Sequence, residues 1–309
     1  MSLITRVSLV GPEASEPEDF LESSLAVIFP DDITNLHGDQ EHGLLYRSPH
    51  LPRPIQLALA DVKAAEDRYL FSHYLWNASL LLAELIEAGT LGLEIPWRSG
   101  LAAPPASFDV SGLRTIELGA GTALPSIMAG LLGARRVVAT DYPSPPVLKT
   151  LRDNVAGAIQ EASAPAGRFA VEEVLVEGHR WGELDTPLAA ANKHAFDRVF
   201  SADCLWMPWQ HDNLRRSIAW FLADGDGARA WVVAGFHTGR DKVDAFFDRA
   251  ALAEVGLEVE YLWERDCDGQ DVEWLVERGY DHVRQWRRWL AVGVLKRIRK
   301  PAEEGEQRP

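Results

Sequence analysis

The residues best placed to do chemistry in this chain lie in three short stretches. Thr115–Leu124 (TIELGAGTAL) reads as a strand running into a turn whose glycines, Gly119 and Gly121, let a ligand approach bare backbone and permit positive φ. Glu117 stands two residues before the first glycine, where a carboxylate can meet a cation or a hydrogen-bond donor. Asp141 closes VVATD, twenty residues beyond Gly121. From the tip of a second strand such an acid accepts both hydroxyls of an adenosine ribose, and Tyr142 beside it can lie against the adenine. A blander reading makes Asp141 the cap of a turn before Pro143. The third stretch, Asp197–Trp206 (DRVFSADCLW), is a strand that ends in Asp203, with an aromatic residue three positions on. A dinucleotide GxGxxG would need glycine where Leu124 stands, so the NAD fingerprint is incomplete.

These groups need a scaffold, and the apolar pattern supplies one. Tyr74, Leu75, Ala78, Leu81, Leu82, Leu85 and Ile86 recur at three-and-four spacing and predict a helix ending near Gly89. Residues 92–112, rich in Gly, Pro and Ser, read as a connection, and residues 1–67 as an N-terminal extension without long helical period. Beyond them strands at Leu113–Leu118, Arg136–Thr140, Phe169–Val176, Asp197–Ala202, Ala230–Ala234, Leu257–Trp263 and Trp289–Leu295 alternate with helices at Pro125–Leu132, Pro146–Ala158, Asp212–Ala223 and Asp241–Val255. That alternation predicts an α/β fold with a mostly parallel sheet covered on both faces. Residues 264–288, charged and carrying aromatics, exceed a hairpin turn and are a candidate lid, and the tail from 298 should be disordered.

The motif set resembles the seven-β-strand, Rossmann-like S-adenosylmethionine-dependent methyltransferases: Glu-x-Gly-x-Gly, an acid at strand two, Trp181-Gly182 after strand three, and Asp-x-x-aromatic after strand four. More narrowly it resembles the lysine-methyltransferase-like group, including its fungal nicotinamide N-methyltransferase-like subgroup, on Leu75–Asn77, ADCLWMPWQHDN from Ala202 to Asn213, and GFHTGR from Gly235 to Arg240. The resemblance spans about residues 68–297 and implies an antiparallel last strand. It implies that Glu117, Gly119 and Gly121 cradle the methionine side of the cofactor, that Asp141 binds ribose, and that Trp181 borders the adenine. Trp76 closes the pocket from the preceding helix, and Tyr142 and Ala202 complete the cofactor-binding set. Asp203 and Trp206 are implied as the catalytic pair beside the transferred methyl group. Trp206 stands where family members commonly carry Tyr or Phe. Trp209 and His237 are candidates for the acceptor pocket.

The 309-residue chain has 31 Lys+Arg against 46 Asp+Glu, a net charge of −15, so a broad phosphate-neutralising surface, and with it nucleic acid as partner, is not expected. Acidity suits a basic partner or simply solubility. Two cysteines, Cys204 and Cys267, make no disulfide framework, and Cys204 reads as a buried or pocket-lining thiol rather than a nucleophile. No leader or membrane-spanning run is visible, so a cytoplasmic protein, with the nucleus as alternative, is expected. The histidines show no metal spacing, His179 and His211 read as structural or solvent-facing, and no metal is assigned. Most of the 11 tryptophans, such as Trp220, Trp231 and Trp289, read as core, while Trp274 and Trp286 fall in the candidate lid. The expected function is N-methylation, with a protein lysine as first-choice acceptor. Nicotinamide or another small amine or heterocycle is the alternative. A non-catalytic cofactor-binding interaction protein and an NAD-dependent oxidoreductase rank lower. Oligomeric state is not legible.

Overall fold

The computed structural model describes residues 2–11, 35–38, 42–60, 74–94, 107–277 and 287–299. Five strands form the parallel heart of the molecule: β6 (Arg114–Leu118), β7 (Arg136–Asp141), β8 (Glu173–Gly178), β9 (Arg198–Ala202) and β10 (Arg229–Gly235). With β11 (Leu257–Asp266), β12 (Asp271–Glu273) and β13 (Trp289–Arg297) they make an eight-stranded sheet ordered β12-β11-β13-β10-β9-β6-β7-β8. The last strand, β13, runs antiparallel to both β10 and β11, as expected for the family resembled. The eighth strand arises in the 264–288 segment. Glu264–Asp266 extend β11, and β12 folds back on it, with Asp266 accepting the amide N–H groups of Asp268 and Gln270 at the bend. Residues 278–286 of the candidate lid, Trp286 among them, lie outside the described residues, as do Arg68 and the tail beyond 299.

Side chains of the central strands alternate between two cores, because successive residues of a strand point to opposite faces. Val137 and Ala139 face one side, with α1 (Asn77–Leu91), α2 (Leu124–Leu131) and α3 (Pro145–Ala158). Val138 faces the other, with α4 (Pro187–Ala191), α5 (His211–Phe221), α6 (Arg240–Phe246) and α7 (Arg249–Glu254). The single helix expected over Asp241–Val255 is broken at Asp248, whose carboxylate accepts the Ala251 N–H at 2.8 Å and caps a new start. The third strand begins at Glu173, not Phe169, because its ladder opens opposite Arg136, where β7 itself starts.

The N-terminal segment joins the same body. β1 (Val7–Val10), β3 (Gly43–Tyr46) and β4 (Ile55–Leu57) form a small antiparallel sheet, and Leu3, Leu44, Tyr46, Ile55 and Leu57 are buried in one core with α1. Arg6 bridges Glu84 and Glu87 on α1 at 2.9 and 3.1 Å. Farther along, β2 (Leu36–His37) pairs with β5 (Leu75–Trp76), so Leu75, counted in the helical period, and Trp76, expected on that helix from the resemblance, are strand. No described helix is long and apolar enough to cross a membrane.

Candidate active site

Strand order reverses at β6, which has β7 on one side and β9 on the other. Open α/β sheets bind ligands in the crevice at the carboxyl ends of the strands flanking such a point. Here those ends deliver the Gly119–Gly121 turn, Asp141 and Asp203 to one cavity of about 340 Å³. Tyr74, Trp76, Trp181 and Trp206 supply its aromatic walls.

The turn is built tightly. Gly119 and Gly121 hold φ of +74° and +53°, and a Cβ on Gly119 would lie 2.7 Å from the Cys204 sulfur and 3.0 Å from the Trp181 ring. Asp141 closes the turn from below, accepting the Gly121 N–H at 2.7 Å and the Tyr142 N–H at 2.6 Å. Burial pushes its carboxyl up to about 6 against those two bonds. Tyr142 lines the cavity, its hydroxyl receiving an N–H of Arg180, whose guanidinium lies over the ring at 5.0 Å.

Glu117 departs from the sequence expectation. It is fully buried and is not part of the cavity wall; its Oε2 accepts both the amide and the hydroxyl of Ser126, at 3.0 and 2.5 Å, in the first turn of α2. Its Oε1 has no partner among the described residues. Desolvation dominates, with Ser126 opposing, and the carboxyl rises to about 8. Glu117 therefore braces the turn from beneath, because an apolar strand leaves its carboxylate only the helix terminus to satisfy it.

At the end of β9, Asp203 lines the cavity in a left-handed conformation, φ +58°. Its Oδ1 accepts the Gly235 N–H at 3.1 Å, and His237 Nε2 lies 3.0 Å from both carboxylate oxygens. The His237 ring packs on Trp76 at 4.7 Å between centroids. His237 itself stands behind Asp203 rather than on the cavity wall. Trp209 is not on the wall either: 71% exposed, it meets Trp206 edge-on at 6.3 Å. The other expected residues, Trp76, Trp181, Ala202 and Trp206, are gathered around the cavity.

Sequence reasoning missed Ser126 and the role of His179. His179 is buried and borders the cavity; its Nε2 meets Ser217 Oγ at 3.0 Å and its Nδ1 has no partner among the described residues. Burial lowers it to about 4, so it is a neutral hydrogen-bonding group. Nothing in its local sequence marks it, since Ser217 is 38 residues away. Cys204 lines the cavity as a buried thiol pushed above its ordinary range by desolvation.

This donor set fits S-adenosylmethionine. Two carboxylates and five aromatic side chains, Tyr142 included, suit a ribose diol and a sulfonium cation, and a side chain on Gly119 would fill the cradle. Among the described residues Arg180 is the one Arg or Lys on the wall, a poor match to a diphosphate. No group of three His, Cys, Asp or Glu among the described residues is arranged to hold a metal ion.

Comparison with known proteins bears on the chemistry. A family model described as lysine methyltransferase matches residues 63–251. Protein N-terminal and lysine N-methyltransferase EFM7 of Gibberella zeae is 31% identical over 225 residues, covering 70% of this chain and 75% of the relative. Its namesake in Eremothecium gossypii is 33% identical over 198 residues, covering 62% and 66%. Among solved structures, a putative SAM-dependent methyltransferase from Streptococcus mutans superposes with a TM-score of 0.50 at 12% identity, covering 90% of this chain and 65% of that one, and shares the fold.

Proposed function

The chain belongs to the lysine methyltransferase family and is an S-adenosylmethionine-dependent methyltransferase, and we propose that its acceptor is an amine of another protein, a lysine side chain or a free N-terminus. The relatives' printed names support this acceptor class. The observation that carries the reading is Asp203, a carboxylate on the wall of an aromatic cavity, fixed from behind by Gly235 and His237.

The bound cofactor supplies an electrophilic methyl group on a sulfonium. The chain's own residues position and polarise. Asp141 accepts hydrogen bonds from a diol, and Trp76 and Trp181 wall the site against water. An amine attacks only as the free base, its ammonium proton having gone to solvent. Asp203 accepts one of the two remaining N–H groups, directing the nitrogen lone pair into the cavity and stabilising the charge that develops on it. Trp206 offers a π face to the same forming cation. In-line transfer depends chiefly on such alignment, which an acid fixed by two donors provides.

The test is incubation with methyl-labelled S-adenosylmethionine and either a protein extract or a panel of small amines including nicotinamide. Label on a protein band, lost with Asp203→Ala while cofactor binding persists, is the expected result. Label confined to small molecules overturns the protein acceptor.

A further inference from the structure

Behind Asp203 lies a second set of hydrogen bonds that reaches out of the methyltransferase core into the N-terminal segment. β2 is laid against β5 by the pairs Leu36↔Trp76 and His37↔Leu75. It is pinned by the Asn77 N–H donating to the Asn35 carbonyl at 3.1 Å, and by His37 Nε2 meeting Asn77 Oδ1 at 2.7 Å. That docking sets the Asn35 side-chain amide 3.1 Å from His237 Nδ1. With its nitrogen turned to the ring, the Asn35 amide donates and Nδ1 accepts, an arrangement that puts the proton of a neutral imidazole on Nε2. Nε2 is the atom that lies 3.0 Å from both oxygens of Asp203.

We propose that His237, held in one tautomer by Asn35, is a positioning residue for methyl transfer: its Nε2–H fixes the Asp203 carboxylate in the rotamer that meets the acceptor amine. The proposal rests on the protein-amine reading above and assigns to the N-terminal segment a part in the active site. Three contacts over-determine the imidazole. Asn35 engages one nitrogen, Asp203 the other, and Trp76 packs against the ring at a tilt of 60°. Asp203 itself sits at a φ that disfavours most side chains, a strain that persists only where neighbours hold the residue in place. Among the described residues, Asp203 is the charged group facing the ring, and Asn35 and Trp76 face it with neutral groups. Burial pulls His237 down, and the charge and hydrogen bond of Asp203 more than reverse this, leaving it above its ordinary value. A protonated ring would bring a hydrogen on Nδ1 against the Asn35 amide and would hold Asp203 in an ion pair, taking its charge away from the acceptor amine.

The experiment joins kinetics with 15N NMR of the histidine-labelled full chain. His237→Ala is expected to lower kcat by about tenfold or more with cofactor Kd and acceptor KM within about threefold of wild type, the pattern of an interaction used in the transition state. His237→Gln, whose Nε2–H reaches a similar point, should recover most of the loss. Asn35→Asp, which asks Nδ1 to donate, should move the acid limb of the kcat profile to higher pH. At a pH high enough for the ring to be neutral, the wild-type His237 signals should report the Nε2–H tautomer. A loss of cofactor affinity in step with kcat, a Gln variant no better than Ala, or a wild-type Nδ1–H tautomer would each overturn the proposal. If the wild type transferred methyl groups to no protein, the acceptor reading alone would fall, and the tautomer measurement would still decide the relay.

Discussion

Glu117→Gln isolates what a carboxylate buried under the Gly-rich turn does to stability. Folding raises this acid from 4.5 to about 8, with desolvation the largest cause. A carboxyl raised on folding binds its proton more tightly in the native state, so its effect is least unfavourable below about pH 4.5 and grows as pH climbs towards about 8. The linkage integral between pH 5 and 8 for that shift amounts to roughly 3 kcal/mol lost from the wild type. Glutamine keeps an oxygen for Ser126 and does not titrate. Its own buried amide adds a constant offset. The difference in unfolding free energy, variant minus wild type, should therefore rise by about 3 kcal/mol from pH 5 to pH 8. Asp141 and Asp271, both raised by burial to about 6, titrate in both proteins and cancel. Urea denaturation at a series of pH values, without cofactor, reads the effect. A flat difference would refute the reasoning, because it would mean that water reaches Glu117 in the native state.

Asp141→Ala removes the acceptor of the Gly121 and Tyr142 amides and should weaken S-adenosylmethionine binding by about 10- to 100-fold in calorimetry; an unchanged Kd would remove Asp141 from the site. Gly119→Ala places a Cβ 2.7 Å from Cys204 Sγ at φ +74°, and should cost about 1–2 kcal/mol of stability together with cofactor affinity. If binding is normal, the cradle is looser than drawn. Arg6→Met leaves Glu87, whose side chain is 1% exposed, with the Ser48 hydroxyl but without its cation, and should lower unfolding free energy by about 3 kcal/mol, whereas a loss below about 1 kcal/mol would show that Ser48 and water relieve the charge.

Where chemistry hangs on a strand end, the sequence was informative. Asp141, Asp203 and the two glycines follow strands whose apolar runs fix their place, and all four converge at the switch point. Legibility failed where a role depends on distant partners. Glu117 looked like a ligand-facing acid because spacing does not reveal which way a strand residue points, and Ser126 takes it up nine residues later. Trp209 sits in the right string, yet the short helical turn at Pro208–Gln210 turns it outward. Asn35 was invisible because β2 is two residues long, too short for any periodicity. The break at Asp248 was readable in principle: an Asp inside a helical run is a capping signal.

The first turn of α2 has one more consequence. A helix terminus after a glycine turn is ordinarily an electropositive socket, its free amides and dipole drawing phosphate. In this chain the Ser126 amide is already taken by the molecule's own carboxylate, delivered from the strand below. Burial raises Glu117 to about 8, so it holds that amide as a neutral acid near pH 7, and a pyrophosphate does not find the Ser126 donor free. The same scaffold that elsewhere selects a dinucleotide is thereby turned towards a nucleoside carrying positive charge.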